Sequence, residues 1–154
     1  MTAPAHGTDR KLSKEEIDEL RDRVKTFMDS DVYPNEGFFH EHSPRRDPQG
    51  IAKMKQLQAK TKAMGMWAPH LPAAAGGMGI GFMPYVYMNE ILGRSSVAPM
   101  AFGSQAPDSG NAEILWQFGS LIPASFLYGL TLSMYGLAYC SLFQKLTFSE
   151  LRCS

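Results

Sequence analysis

Residues 111–136 read NAEILWQFGSLIPASFLYGLTLSMYG, and how far a single helix runs through them decides the fold. Asn111, Glu113 and Gln117 alternate with Ile114, Leu115 and Phe118 as on an amphipathic helix that stops at Gly119. After Ser120 no charged residue appears until Lys145. The change of composition marks a seam, so 120–154 is set apart as an apolar tail and the fold is read from the residues before it.

Working back from the seam, Asp108 or Ser109 is the expected cap of that last helix. Pro84 is expected in the first turn of the preceding helix, which carries Tyr85, Met88 and Leu92 and stops at Gly93. A stripe of Ile51, Met54, Leu57, Thr61 and Met64 forms another helix, closed by Gly65. Ser13 with Glu16 makes a capping box before Ile17, Leu20, Val24 and Phe27, a first helix expected to end before Pro34. Residues 34–49 then read as a turn-rich connection with three prolines, and 1–12 as a disordered leader. No alternating strand pattern precedes residue 120. The expected fold is an all-α helical bundle over 13–119.

Composition narrows the function classes. With 15 basic and 15 acidic side chains the chain has no basic excess to draw nucleic acid or an anionic membrane. Residues 1–60 hold 11 charges of each sign, so the front of the chain supplies solvated helix faces. Cys140 and Cys153 make neither a zinc pattern nor a disulfide framework, which fits a reducing compartment. MTAPAHGTDRKLSKEE has no secretory or transit character, and the final LRCS is no lipidation or peroxisomal signal.

Candidate chemistry is sparse. GGMGIG (76–81) departs from the dinucleotide fingerprint, since the third glycine would fall on Phe82 and no strand precedes it. No Gly-Lys-Ser/Thr follows it either, and a tight interhelical loop is the stronger reading. His40 and His42 could face one metal, but Arg45 and Arg46 follow and no third ligand is evident, so no metal site is expected. His70, between Pro69 and Pro72, reads as a loop residue. Ser104, Asp108 and Ser109 have no histidine placed to complete a triad. Trp67 and Trp116 are expected in the core.

Five short motifs in one order carry a resemblance. Val32-Tyr33-Pro34-Asn35-Glu36 resembles the V-x-P-x-E that ends the first helix of acyl-CoA dehydrogenases. QLQAKTKAMGMW (56–67) is similar to the family's LKAKARAxGLW, and Leu71-Pro72 with Gly76-Gly77-Met78-Gly79 to its L-P-x-x-x-G-G-x-G. Glu90-Ile91-Leu92-Gly93-Arg94-Ser95 resembles E-E-L-G-R-S. Ala106-Pro107-Asp108-Ser109-Gly110-Asn111 resembles the A-P-D-T-G-N of the branch with family members ten and eleven.

The resemblance implies a helical N-terminal domain of a homo-oligomeric flavoprotein of fatty acid β-oxidation, mitochondrial or peroxisomal. In the family, a glutamate removes an α-proton of acyl-CoA, and FAD accepts the β-hydride to give a 2-enoyl-CoA. This domain's share would be to wall the acyl cavity. Within Pro99–Pro107 the expected lining residues are Met100, Phe102, Gly103 and Ala106. Beyond Gly119 the family's charged helix and flavin-contacting T-E-P strand have no counterpart here. The expectation is therefore an N-terminal fragment without catalytic residues, inactive alone and not binding FAD by itself. The alternative is an interaction or dominant-negative form that binds full-length subunits. For the tail three readings stand in order: a non-homologous isoform or gene-model tail, a helix folded back on the bundle, and a membrane span over 121–143.

Overall fold

The computed structural model describes residues 10–118. Two compact units divide the chain, His6–Gln105 and a second that includes residues 106–118. Among the described residues all regular structure is helical.

In the first unit, α1 (Lys14–Phe27) starts at the predicted capping box: Ser13 Oγ accepts the Glu16 amide, and the Glu16 carboxylate accepts the Ser13 amide. That backbone bond, then Arg10 and the Ser13 hydroxyl, hold the Glu16 carboxyl below its ordinary pKa, against a smaller desolvation effect. Leu20, Val24 and Phe27 face inward as their spacing requires. Of the expected leader, the described end is held: the Arg10 amide donates to the Gly79 carbonyl, and Leu12 packs on the core.

The helix does not end before Pro34. It passes through a π-helical stretch, Met28–Val32, into α2 (Tyr33–Glu41). The Tyr33 amide reaches back five residues to the Met28 carbonyl, and the widened turn shifts the hydrogen-bond ladder by one residue. Pro34, with no N–H to donate, thereby falls in the first turn of a new helical segment, where none is needed. The Asn35 amide side chain adds a bond to the Asp31 carbonyl, 2.6 Å. The connection shrinks to 42–47. Asp47 ends it by accepting the Gln49 and Gly50 amides at 2.7 and 3.3 Å, which caps α3 (Pro48–Ala63). Gly50 is required there, because a Cβ would lie 2.4 Å from the Ser43 carbonyl oxygen.

A loop over 64–81, with a short 3-10 turn at Ala73–Ala75, leads to α4 (Phe82–Leu92). This helix begins before Pro84, since Gly81, at φ +77°, turns the chain directly into it. Ser95 Oγ accepts the Val97 and Ala98 amides at the start of the short α5 (Ala98–Ala101). Helix α1 packs on α4, and α3 and α4 both pack on α5. Phe27 and Phe102 meet edge to face at the centre, centroids 5.3 Å apart, with Met28, Met54, Met66 and Met88 filling the space around them. Arg21 joins α1 to α4 through Tyr87, 5.8 Å away, and Glu90.

In the second unit, α6 (Asp108–Phe118) begins at Asp108 itself rather than after it. Ala112 and Leu115 are buried, whereas Ile114, expected on the apolar side, is 50% exposed. Gly119 and the tail 120–154 lie outside the described residues, and with them the candidate span 121–143. No helix among the described residues is long and apolar enough to cross a membrane.

Candidate functional site

The stretch expected to wall an acyl chain is a clamped turn. Helix α5 is only four residues long, so apart from the Phe102 and Gly103 amides that reach Met100 its last carbonyls have no helical successors to accept from. Side chains and the loop supply the donors. Gln58 Nε2 donates to the Met100 carbonyl at 3.1 Å, Thr61 Oγ1 to Ala101 at 2.8 Å, and the Ala68 amide to Phe102 at 2.9 Å. Thr61 is fully buried, so its hydroxyl in the apolar stripe of α3 has a defined task.

Gly103 then turns the chain at φ +68°, with the Trp67 ring across it; a Cβ would sit 2.7 Å from Trp67 Cζ2. Trp67 is accordingly half-buried over this turn rather than inside the core, with Lys62 Nζ 4.2 Å from its ring centroid. Trp116 is half-buried as well. Of the four expected lining residues, Met100 is half-buried and packs on the core edge, and Phe102 is fully buried against Phe27. Gly103 is half-buried at the turn, while Ala106 belongs to the other unit and is exposed.

The glycine loop is the tight interhelical loop its sequence predicts. Gly76, Gly79 and Gly81 all have positive φ. The Gly77, Met78 and Gly79 amides donate to the Pro72, Ala68 and Leu71 carbonyls at 3.1, 3.4 and 3.1 Å. Amides already bonded inside the loop cannot cradle a pyrophosphate, so the loop does not fit the phosphates of a flavin dinucleotide.

His40 is exposed, while His42 tilts over the Phe38 ring, 4.6 Å away, and meets Asp47 Oδ2 through Nδ1 at 3.2 Å. That contact first, then the Gln49 amide, holds the Asp47 carboxyl below its ordinary pKa, with desolvation opposing. The pair links the end of α2 to the cap of α3, a structural task that spacing alone did not reveal. No cluster of three metal-ligating side chains occurs among the described residues. Ser104 is buried and donates to the Pro99 carbonyl at 3.4 Å. His70 lies in the loop, and both its ring nitrogens are sealed without a partner.

Comparison with known proteins supplies the family. Residues 14–121 match the model of the acyl-CoA dehydrogenase N-terminal domain. The chain belongs to the acyl-CoA dehydrogenase family. It is 34% identical over 110 residues to acyl-CoA dehydrogenase family member 11 of Rattus norvegicus, covering 66% of this chain and 13% of that protein. Family member 10 of Mus musculus is 30% identical over 110 residues, 68% of this chain and 10% of the relative. Probable acyl-CoA dehydrogenase FadE2 of Mycobacterium tuberculosis is 31% identical over 113 residues, 71% of this chain and 27% of the relative. The chain thus spans between 10% and 27% of the length of these relatives. No solved structure matches it. The all-α bundle read from the sequence is the architecture this acyl-CoA dehydrogenase domain shows.

Proposed function

We propose that the chain serves as the acyl-cavity wall of an FAD-dependent acyl-CoA dehydrogenase and does not catalyse α,β-desaturation by itself. The match to the N-terminal domain of the family over 14–121 carries this reading. The clamped turn supports it. Three consecutive carbonyls, of Met100, Ala101 and Phe102, are fixed from α3 and the loop, which holds Met100 and Gly103 still at the edge of the unit. A rigid apolar wall lowers the ordering cost of binding a flexible acyl tail. Phe102 backs this wall from the core. Acyl-CoA is the substrate class the reading implies, and FAD the cofactor of the complete enzyme. The Gly77, Met78 and Gly79 amides are already bonded within their loop, and no step of the reaction is assigned to this chain. The experiment is purification of the 154-residue chain, followed by flavin absorbance and acyl-CoA-dependent dye reduction. Neither is expected; retained flavin together with dye reduction would overturn the proposal.

A second reading, a non-enzymatic form that binds full-length family subunits, has one observation in its favour. Phe82, Met83 and Val86 lie together at the start of α4 and are 74%, 53% and 37% exposed. Contiguous exposed apolar side chains of this size mark contact surfaces. Co-purification with a full-length member supports this reading, and its absence removes it.

A further inference from the structure

The loop over 64–81 contains a group that its packing does not satisfy. A neutral imidazole carries one N–H donor and one bare nitrogen acceptor. In His70 both nitrogens are shielded from solvent, and neither has a hydrogen-bond partner. The backbone cannot easily release the ring, because its neighbours Pro69 and Leu71 are buried. Tyr85 of α4, with its ring centroid 5.9 Å away, is the titratable group packed on it. Among the described residues no charged side chain acts on its titration, and desolvation lowers its pKa to about 4.

We propose that His70 makes the loop over 64–81 an acid-operated latch: on taking up a proton the ring leaves its dry seat beside Tyr85 for water, and the loop's own hydrogen bonds open. Loop chemistry suits the movement. Gly76, Gly79 and Gly81 occupy positive φ and give the loop its pivots. The bonds that close the latch are those of the Met78 and Gly79 amides to the Ala68 and Leu71 carbonyls. Because the Ala68 amide also holds the Phe102 carbonyl, opening reaches the clamped turn at 100–103. This inference stands apart from the acyl-wall reading, since it needs only the loop and the ring. With a pKa lowered on closure, the closed state is favoured above the ordinary histidine range. It loses ground as pH falls from about 6.5 towards 4. Across that window one proton enters on opening, so the opening constant rises about tenfold per pH unit.

Native-state amide exchange of the full chain, corrected for intrinsic rates, tests the latch. Protection at Met78 and Gly79 is expected to fall about tenfold per pH unit below pH ~6.5, with Leu57 and Thr61 in α3 unchanged. The slope should vanish in His70→Phe. A flat profile in the native chain, the same slope in His70→Phe, or a parallel loss in α3 would overturn the proposal. If that variant fails to fold, the imidazole carbon and proton shifts of the unmodified chain decide. A lowered His70 midpoint at which the Met78 and Gly79 amide shifts also change supports the latch, and one near 6.5, or one that leaves those amides unmoved, refutes it.

Discussion

Gly103→Ala tests whether the turn over Trp67 is held by backbone conformation alone or by a close steric fit as well. Two glycines form a natural pair for the experiment. Gly65 and Gly103 have nearly the same positive φ, +69° and +68°. A methyl at Gly65 meets nothing within 4 Å, whereas at Gly103 it meets Trp67 Cζ2, Cη2 and Cε2 at 2.7, 2.8 and 3.0 Å. A left-handed non-glycine residue costs roughly 1–2 kcal/mol, offset by about 0.4–1 kcal/mol from the stiffer unfolded chain. Gly65→Ala should therefore destabilise by about 1 kcal/mol or less. Gly103→Ala adds overpacking against an aromatic ring pinned by Lys62, about 1–3 kcal/mol more. Urea unfolding of the two variants, at unchanged slope, should separate their midpoints by roughly 1 M. The double variant Trp67→Leu/Gly103→Ala removes the obstructing ring and should bring the glycine substitution back to the Gly65 cost. Equal losses for Gly65→Ala and Gly103→Ala would show that Trp67 does not crowd the turn, and the close fit proposed for the wall would be wrong.

Thr61→Val keeps the shape in α3 but takes the hydroxyl from the buried Ala101 carbonyl, and should cost about 1–3 kcal/mol in denaturant unfolding. Thr61→Ser, which retains the donor, should lose less than Thr61→Val, and the reverse order would argue against the clamp. The Asp47 carboxyl is held below its ordinary pKa, so its contribution to the α2–α3 connection is present above pH ~3.8 and is lost as pH falls through the lowered value. An NMR titration should place Asp47 below a reference aspartate in the native chain and move it upward in His42→Asn; no upward movement would remove His42 as the leading cause. Phe82→Glu changes an exposed residue and should leave stability within about 0.5 kcal/mol. The same change should abolish co-purification with a full-length family member if the non-enzymatic reading holds, and leave it intact if that face is unused.

What the sequence made legible follows from which interactions are local. The capping box at Ser13 and Glu16, the inward stripe of Leu20, Val24 and Phe27, and the stripe of Met54, Leu57 and Thr61 are each set within a few turns of one helix. The structure has them where periodicity put them, whereas Met64, expected to close that second stripe, lies past the end of α3 and is 39% exposed. The glycine loop was legible too, because positive φ and the absence of a Gly-Lys-Ser/Thr sequence both argue from residues in hand. The rule that failed at Pro34 is a tendency of the preceding residue, and a five-residue hydrogen-bond step inside the helix relieved the conflict it describes. Nothing in Met28–Val32 announces that step. The clamp was hidden for another reason. Gln58 and Thr61 bond carbonyls 42 and 40 residues further along, and a backbone acceptor has no residue type by which a sequence could show it.

The same division bears on function. Family membership was legible because motifs are local strings, and the match over 14–121 spans all five of them. The acyl wall expected over Pro99–Pro107 is a different matter, because a wall is defined by what it faces. Within its own unit Phe102 is simply core. Met100 and Gly103 stand out only because three carbonyls around them are held by distant donors at a point where a four-residue helix could have frayed. That much order in so short an element is stronger support for a shaped surface than apolarity is, since apolar residues in a bundle are ordinarily core. The acyl-wall reading therefore depends on Thr61, Gln58 and Ala68 as much as on the residues that would touch the acyl chain.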